Sequence, residues 1–71
     1  MLRVDELEEI QEIQRQLSTM LRNINLLGKY TENESFRRRL MILFSWVEIA
    51  HDSVKYTLET IKEEESDGED V

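Results

Sequence analysis

The sequence lacks both cysteine and proline, and it contains only two glycines among 71 residues. Without cysteine there are no disulfides, no zinc sites built on thiolates and no cysteine nucleophile. The lack of proline and the scarcity of glycine favour long helices, because these two residue types interrupt helices. A chain this short rarely builds a sufficient core alone. The composition therefore predicts a helical protein that needs a partner.

Long apolar runs are also missing. The longest, at residues 40–47, is interrupted by Ser45, whereas a helix needs about 20 apolar residues to span a bilayer. Residues 1–12 are acidic and amphipathic, so they do not resemble a secretory signal. The sequence has one histidine and no glycine-rich phosphate loop. We therefore expect a cytoplasmic, non-enzymatic protein with no membrane contact, no catalytic residues and no cofactor.

The first part of the chain has one apolar stripe. Apolar residues recur at steps of three and four, and from Ile10 onward they follow the a and d positions of a heptad, which predicts a helix over about residues 4–28. The stripe contains Val4, Leu7, Ile10, Ile13, Leu17, Met20, Leu21, Ile24 and Leu27. Gly28 follows the last of these and is predicted to be a left-handed C-cap.

A second helix is predicted over about residues 33–64. Thr31 and Glu34 have the spacing of a capping box, and Asn33 is a competing N-cap. The short connection places the two helices side by side as an antiparallel hairpin over residues 1–64. Residues 65–71 are mostly acidic and have no apolar periodicity, so they are predicted to be a disordered tail.

The second helix carries apolar residues on two faces. The first face is predicted to pack on helix 1 and contains Phe36, Leu40, Leu43, Val47, Ala50, Val54, Leu58 and Ile61. The second face contains Ile42, Trp46, Ile49 and Tyr56. One neighbouring helix cannot cover both faces. We therefore predict an all-α hairpin that forms a homodimer and closes a four-helix bundle, with the second face at the dimer interface.

Charge is distributed unevenly along the chain. Residues 1–14 carry a net charge of −4, residues 15–45 carry +4 and residues 46–71 carry −7, for a total of −7. In a hairpin, the basic third lies at the loop end and both acidic thirds lie at the open end. Two hairpins with loops at opposite ends would bring unlike charges together. Screened pairs of this kind set orientation more than affinity.

The basic third suggests an alternative function. Its cationic residues, if they form one strip, are candidates for contact with nucleic acid; they are Arg15, Arg22, Lys29, Arg37, Arg38 and Arg39. A small dimeric hairpin with an acidic end also resembles the layout of Rop, the RNA-binding four-helix bundle that controls plasmid copy number. The resemblance lies in the architecture, and no functional residue follows from it. Solvation of the loop end is the favoured interpretation of these residues.

A metal site is the third possibility. Glu48 and His51 form the Glu-x-x-His pair that holds metal in carboxylate-bridged helical bundles. Such a site needs further carboxylates, but at this depth helix 1 offers Gln11, Gln14 and Leu17. We therefore assign no metal. The favoured function is a protein–protein interaction module or regulatory adaptor that binds itself and another protein.

Overall fold

The chain forms two antiparallel α-helices. A computed structural model describes residues 2–69, with α1 at Val4–Tyr30 and α2 at Glu34–Glu69. The Cα trace measures 58 × 18 × 12 Å, so the hairpin is long and only one layer thick. The prediction of an all-α hairpin is confirmed. Neither helix within residues 2–69 carries an apolar stretch sufficient to cross a membrane.

The core lies between the helices and is narrow. Ile24 of α1 packs with Leu40 and Val47 of α2, and these three side chains are 6–8% exposed. Leu17, Leu21 and Phe44 are half-buried against them. Leu58 is buried further along α2. The apolar contact therefore follows most of the length of α1.

The predicted buried face of α2 needs one correction. Phe36 and Leu43 were assigned to it, but they are 42% and 47% exposed. Phe44 packs against the core instead. Leu43 and Phe44 both lie between the buried residues Leu40 and Val47 but differ by about 100° around the helix, and α1 packs on the Phe44 side. Leu43 lies on the other edge of the same face, where α1 does not reach.

Helix α1 ends later than predicted and without a left-handed residue. It continues through Gly28 to Tyr30, and the structure describes no glycine with a positive φ. Thr31 leaves the helix in an extended conformation, and its N–H donates to the carbonyl of Leu27 at 2.9 Å. The predicted C-cap at Gly28 is therefore wrong. A left-handed turn is not needed here, because the extended Thr31 satisfies that carbonyl.

The start of α2 follows the alternative cap. The side-chain Oδ1 of Asn33 accepts a hydrogen bond from the N–H of Phe36 at 3.0 Å, which is the N-cap arrangement. The Thr31 hydroxyl instead accepts from the N–H of Asn33 at 3.2 Å. The helix begins at Glu34, within the predicted range.

The end of α2 lies beyond the predicted boundary near residue 64. The helix extends to Glu69, so residues 65–69 of the expected disordered tail are helical. This segment has no proline to interrupt the helix, although Ser66, Asp67 and Gly68 are weak helix formers. The remainder of the predicted tail, Asp70 and Val71, lies outside the described residues.

Gly28 offers a direct test of this fold. It occupies a helical position, and a Cβ added there would meet no atom within 4 Å. We expect Gly28→Ala to raise the free energy of unfolding by about 0.5–1 kcal/mol, because alanine loses less backbone entropy in a helix. Urea unfolding at one fixed protein concentration measures the change. A lower stability would show that this position is not helical.

Candidate interaction surface

The four residues predicted at the dimer interface lie together on one side of α2. Ile42, Trp46, Ile49 and Tyr56 are 58–72% exposed in the single chain. Their spacing of three, four and seven residues places them in a row on the side of α2 that faces away from α1. We call this row the outer stripe. It leaves a tryptophan, a tyrosine and two isoleucines in water.

A groove runs between the helices near the loop. It has a volume of about 410 Å³, and it is lined by Ile24, Asn25, Gly28, Lys29, Arg37, Leu40, Met41, Phe44 and Ser45. Four residues on its rim lie one or five positions after a core residue: Asn25 and Lys29 after Ile24, and Met41 and Ser45 after Leu40. Equal steps along the two antiparallel helices therefore lead to the same side of the hairpin. We call this side the groove side.

The side of the hairpin opposite the groove is apolar. A residue three positions after a core residue, or four positions before it, lies on the side of its helix away from the groove. Applied to Leu17, Ile24 and Leu40, these steps give Ile13, Met20, Leu27, Phe36 and Leu43. All five are 42–49% exposed. We call these five residues the open face; it draws on both helices, whereas the outer stripe belongs to α2 alone.

Sequence reasoning missed the open face because it assigned these five residues to buried stripes. These residues repeat every seven positions, as the core residues do: Ile13, Met20 and Leu27 form one column, and Phe36 and Leu43 form another. The a-type positions face the other helix of the hairpin, and the neighbouring d-type positions are left at its edge. Only the structure shows which of the two positions is covered.

The six basic residues do not share one surface. Arg15, Arg22 and Lys29 repeat every seven residues along α1, next to the groove side, and cover about 21 Å. Arg38 lies on the outer side of α2, and Arg39 lies three residues after Phe36, on the open-face side. Arg15 also forms an ion pair with Glu12 at 3.0 Å. The predicted strip is thus divided among separate parts of the molecule.

Arg37 holds the loop to the end of α1. Its Nε donates to the carbonyl of Gly28 at 3.1 Å, and its Nη2 donates to the carbonyl of Thr31 at 2.6 Å. Its Nη1 donates to Oε1 of Glu34 at 2.6 Å. These carbonyls belong to the last turn of α1 and to the residue that follows it, where no helical donor reaches them. Most of the guanidinium is therefore engaged within the hairpin.

His51 joins the two helices on the groove side. Its Nε2 lies 3.0 Å from the hydroxyl of Ser18, and its Nδ1 lies 3.6 Å from Oδ1 of Asp52. The order serine, histidine and aspartate resembles a hydrolase triad. However, Ser18 lies in mid-helix, where backbone N–H groups are bonded within α1, so they do not form an oxyanion hole. The arrangement works as an interhelical hydrogen bond.

The Glu48 and His51 pair gains no further metal ligands. Among the residues that the structure describes, no group of three or more histidine, cysteine, aspartate or glutamate side chains could hold an ion. The nearest partners of His51 are the side chains of Ser18 and Asp52. A hydroxyl and one exposed carboxylate do not complete a transition-metal site.

Substitutions of Arg37 and Arg38 test whether the contacts of Arg37 stabilise the hairpin. We expect Arg37→Gln to lower the free energy of unfolding by about 1–2 kcal/mol, because two backbone carbonyls lose a charged donor. Arg38→Gln removes the same charge from an exposed position and should change stability by less than about 0.5 kcal/mol. Urea unfolding of both variants measures the difference. Equal effects would mean that the Arg37 contacts do not stabilise the loop.

The hairpin thus presents a groove side with an apolar floor and a largely polar rim, an apolar open face and an apolar outer stripe. Its cationic residues are divided among these surfaces, and one of them is engaged in holding the loop. The outer stripe and the open face together expose nine large apolar residues. Comparisons with protein-family models, with curated proteins and with solved structures gave no match for this chain.

Proposed function

We propose that this chain is a non-enzymatic protein–protein interaction module that works as a homodimer. In this proposal, two hairpins associate into a four-helix bundle, and Ile42, Trp46, Ile49 and Tyr56 lie at the dimer interface. The exposure of these four side chains is the observation that supports it. Burying a large apolar side chain contributes roughly 1.5–3 kcal/mol before entropy is subtracted, so the outer stripe supplies a driving force for association.

The charge distribution supports loops at opposite ends. The loop end carries Lys29, Arg38 and Arg39, whereas the open end carries most of the acidic residues of the chain. Placing two loops together would put these cations beside their own copies. Placing them apart sets each loop beside the acidic ends of the other copy. Each exposed pair contributes only about 0–1 kcal/mol, so charge selects the arrangement and apolar burial drives it.

The same arrangement supports an adaptor role. A symmetric dimer displays each of its remaining surfaces twice, and the groove side stays outward when the apolar surfaces are covered. The groove combines an apolar floor with polar residues on its rim. A second protein contacting the bundle would therefore meet two equivalent sites, which is how a small dimer can join two partner molecules.

Dimerisation is tested by sedimentation equilibrium at micromolar concentration. We expect the unmodified chain to have twice its monomer mass and the Trp46→Glu, Ile49→Glu double variant to be monomeric, because two carboxylates would be buried in the apolar interface. A matched control adds the same charge on the groove side, with Asn25→Glu and Ser45→Glu, and should remain dimeric. Helicity measured by circular dichroism must be unchanged. A monomeric unmodified chain contradicts the proposal.

Orientation is tested with one spin label in the loop. The chain has no cysteine, so Glu32→Cys provides a single attachment site. Loops at opposite ends place the two labels about 40–50 Å apart, from the helical rise between residue 32 and the middle of the outer stripe. Loops at the same end place them within about 20 Å, the width of two helices. Pulsed electron paramagnetic resonance measures the distance between the two spin labels and so distinguishes the two arrangements.

A further inference from the structure

We infer that the second copy lies across both helices of the hairpin, so that Ile13, Met20 and Leu27 of α1 are part of the dimer interface. This inference rests on the proposed homodimer and specifies the surface it uses. The sequence alone placed the interface on α2. The structure adds the open face, where α1 contributes three of the five half-exposed apolar residues.

The size of the surface favours an interface on both helices. The outer stripe is one helix wide, about 10 Å, and the rise from Ile42 to Tyr56 is about 21 Å. Such a stripe has a footprint of only about 200 Å² in projection. The open face spans two helices over a similar length and covers about 400 Å². The two surfaces adjoin at Trp46, which is the residue of the outer stripe nearest the open face in rotation about α2.

The arrangement of the open face resembles one half of the core of a four-helix bundle. Its two columns repeat every seven residues, and each column lies beside a buried column of the same helix. In a four-helix bundle, a and d positions both face the centre. Here Ile24 and Leu40 are buried within the hairpin, whereas Met20 and Leu43 are about half exposed. A second pair of helices laid on this face would complete the layer.

Two features of this surface fit a second copy of the chain. Ala50 lies one turn beyond Trp46 on α2 and is small, so antiparallel crossing of the two α2 helices near these residues seats the indole of each copy over the alanine of the other. Charge is also complementary, since Arg39 borders the open face at its loop end, between Phe36 and Leu43, and Glu9 extends it toward the opposite end. Loops at opposite ends bring these two charges to the same end of the bundle.

The experiment compares two variants of α1 that carry the same new charge on different sides of the hairpin. Met20→Glu adds a carboxylate to the open face, and Asn25→Glu adds one to the groove side. We expect Met20→Glu to raise the dimer dissociation constant at least tenfold and Asn25→Glu to change it less than twofold, as measured by sedimentation equilibrium. Circular dichroism checks that both remain helical. This result would place α1 in the interface.

The outcomes separate this inference from the proposal on which it rests. If Met20→Glu behaves like Asn25→Glu while the Trp46→Glu, Ile49→Glu variant dissociates, the chain dimerises through α2 alone and the inference is wrong. A monomeric unmodified chain would remove both. If Met20→Glu unfolds, Met20→Cys replaces it, with Asn25→Cys as control. The rate at which a thiol reagent modifies each cysteine is then measured below and above the concentration at which the chain dimerises. A lower rate in the dimer for Met20→Cys alone supports the inference, and an equal rate in monomer and dimer overturns it.

Discussion

The structure depends on one contact, the packing of α1 against α2 along Ile24, Leu40 and Val47. Two helices can bury only the strip along which they touch, so each side chain of that strip also has an edge near water. The exposures show this limit, because no side chain described in the chain is less than 2% exposed. A single helical layer excludes water incompletely, and a second layer is the usual remedy in helical bundles.

The two sides of the hairpin differ in the residues that border the core. On the groove side, the rim holds Asn25, Lys29, Met41 and Ser45, of which only Met41 is apolar. On the opposite side, Met20 and Leu43 of the open face border the core. Polar residues thus predominate at the rim of the groove, whereas the open face is apolar.

Sequence periodicity predicted the hairpin and the buried positions Leu40, Val47 and Leu58, because both follow from local spacing and a short loop. It did not distinguish Phe44 from Leu43. These neighbours differ by about 100° around the helix, and the direction of approach of α1 decides which is covered. The open face was missed for the same reason. The end of α1 was also misplaced, since Thr31 satisfies a carbonyl that Gly28 was expected to cap.

Packing alone does not explain the fixed register of the two helices. The described core contains no buried polar group, and apolar side chains tolerate sliding better than directional bonds do. Register is instead set at the edges of the core, where Ser18 meets His51 at 3.0 Å and Arg37 reaches Gly28 at 3.1 Å. Each bond joins α1 to α2 at one position. His51 and Arg37, which the sequence offered as candidates for metal and nucleic-acid contact, thus join α1 to α2 at fixed positions.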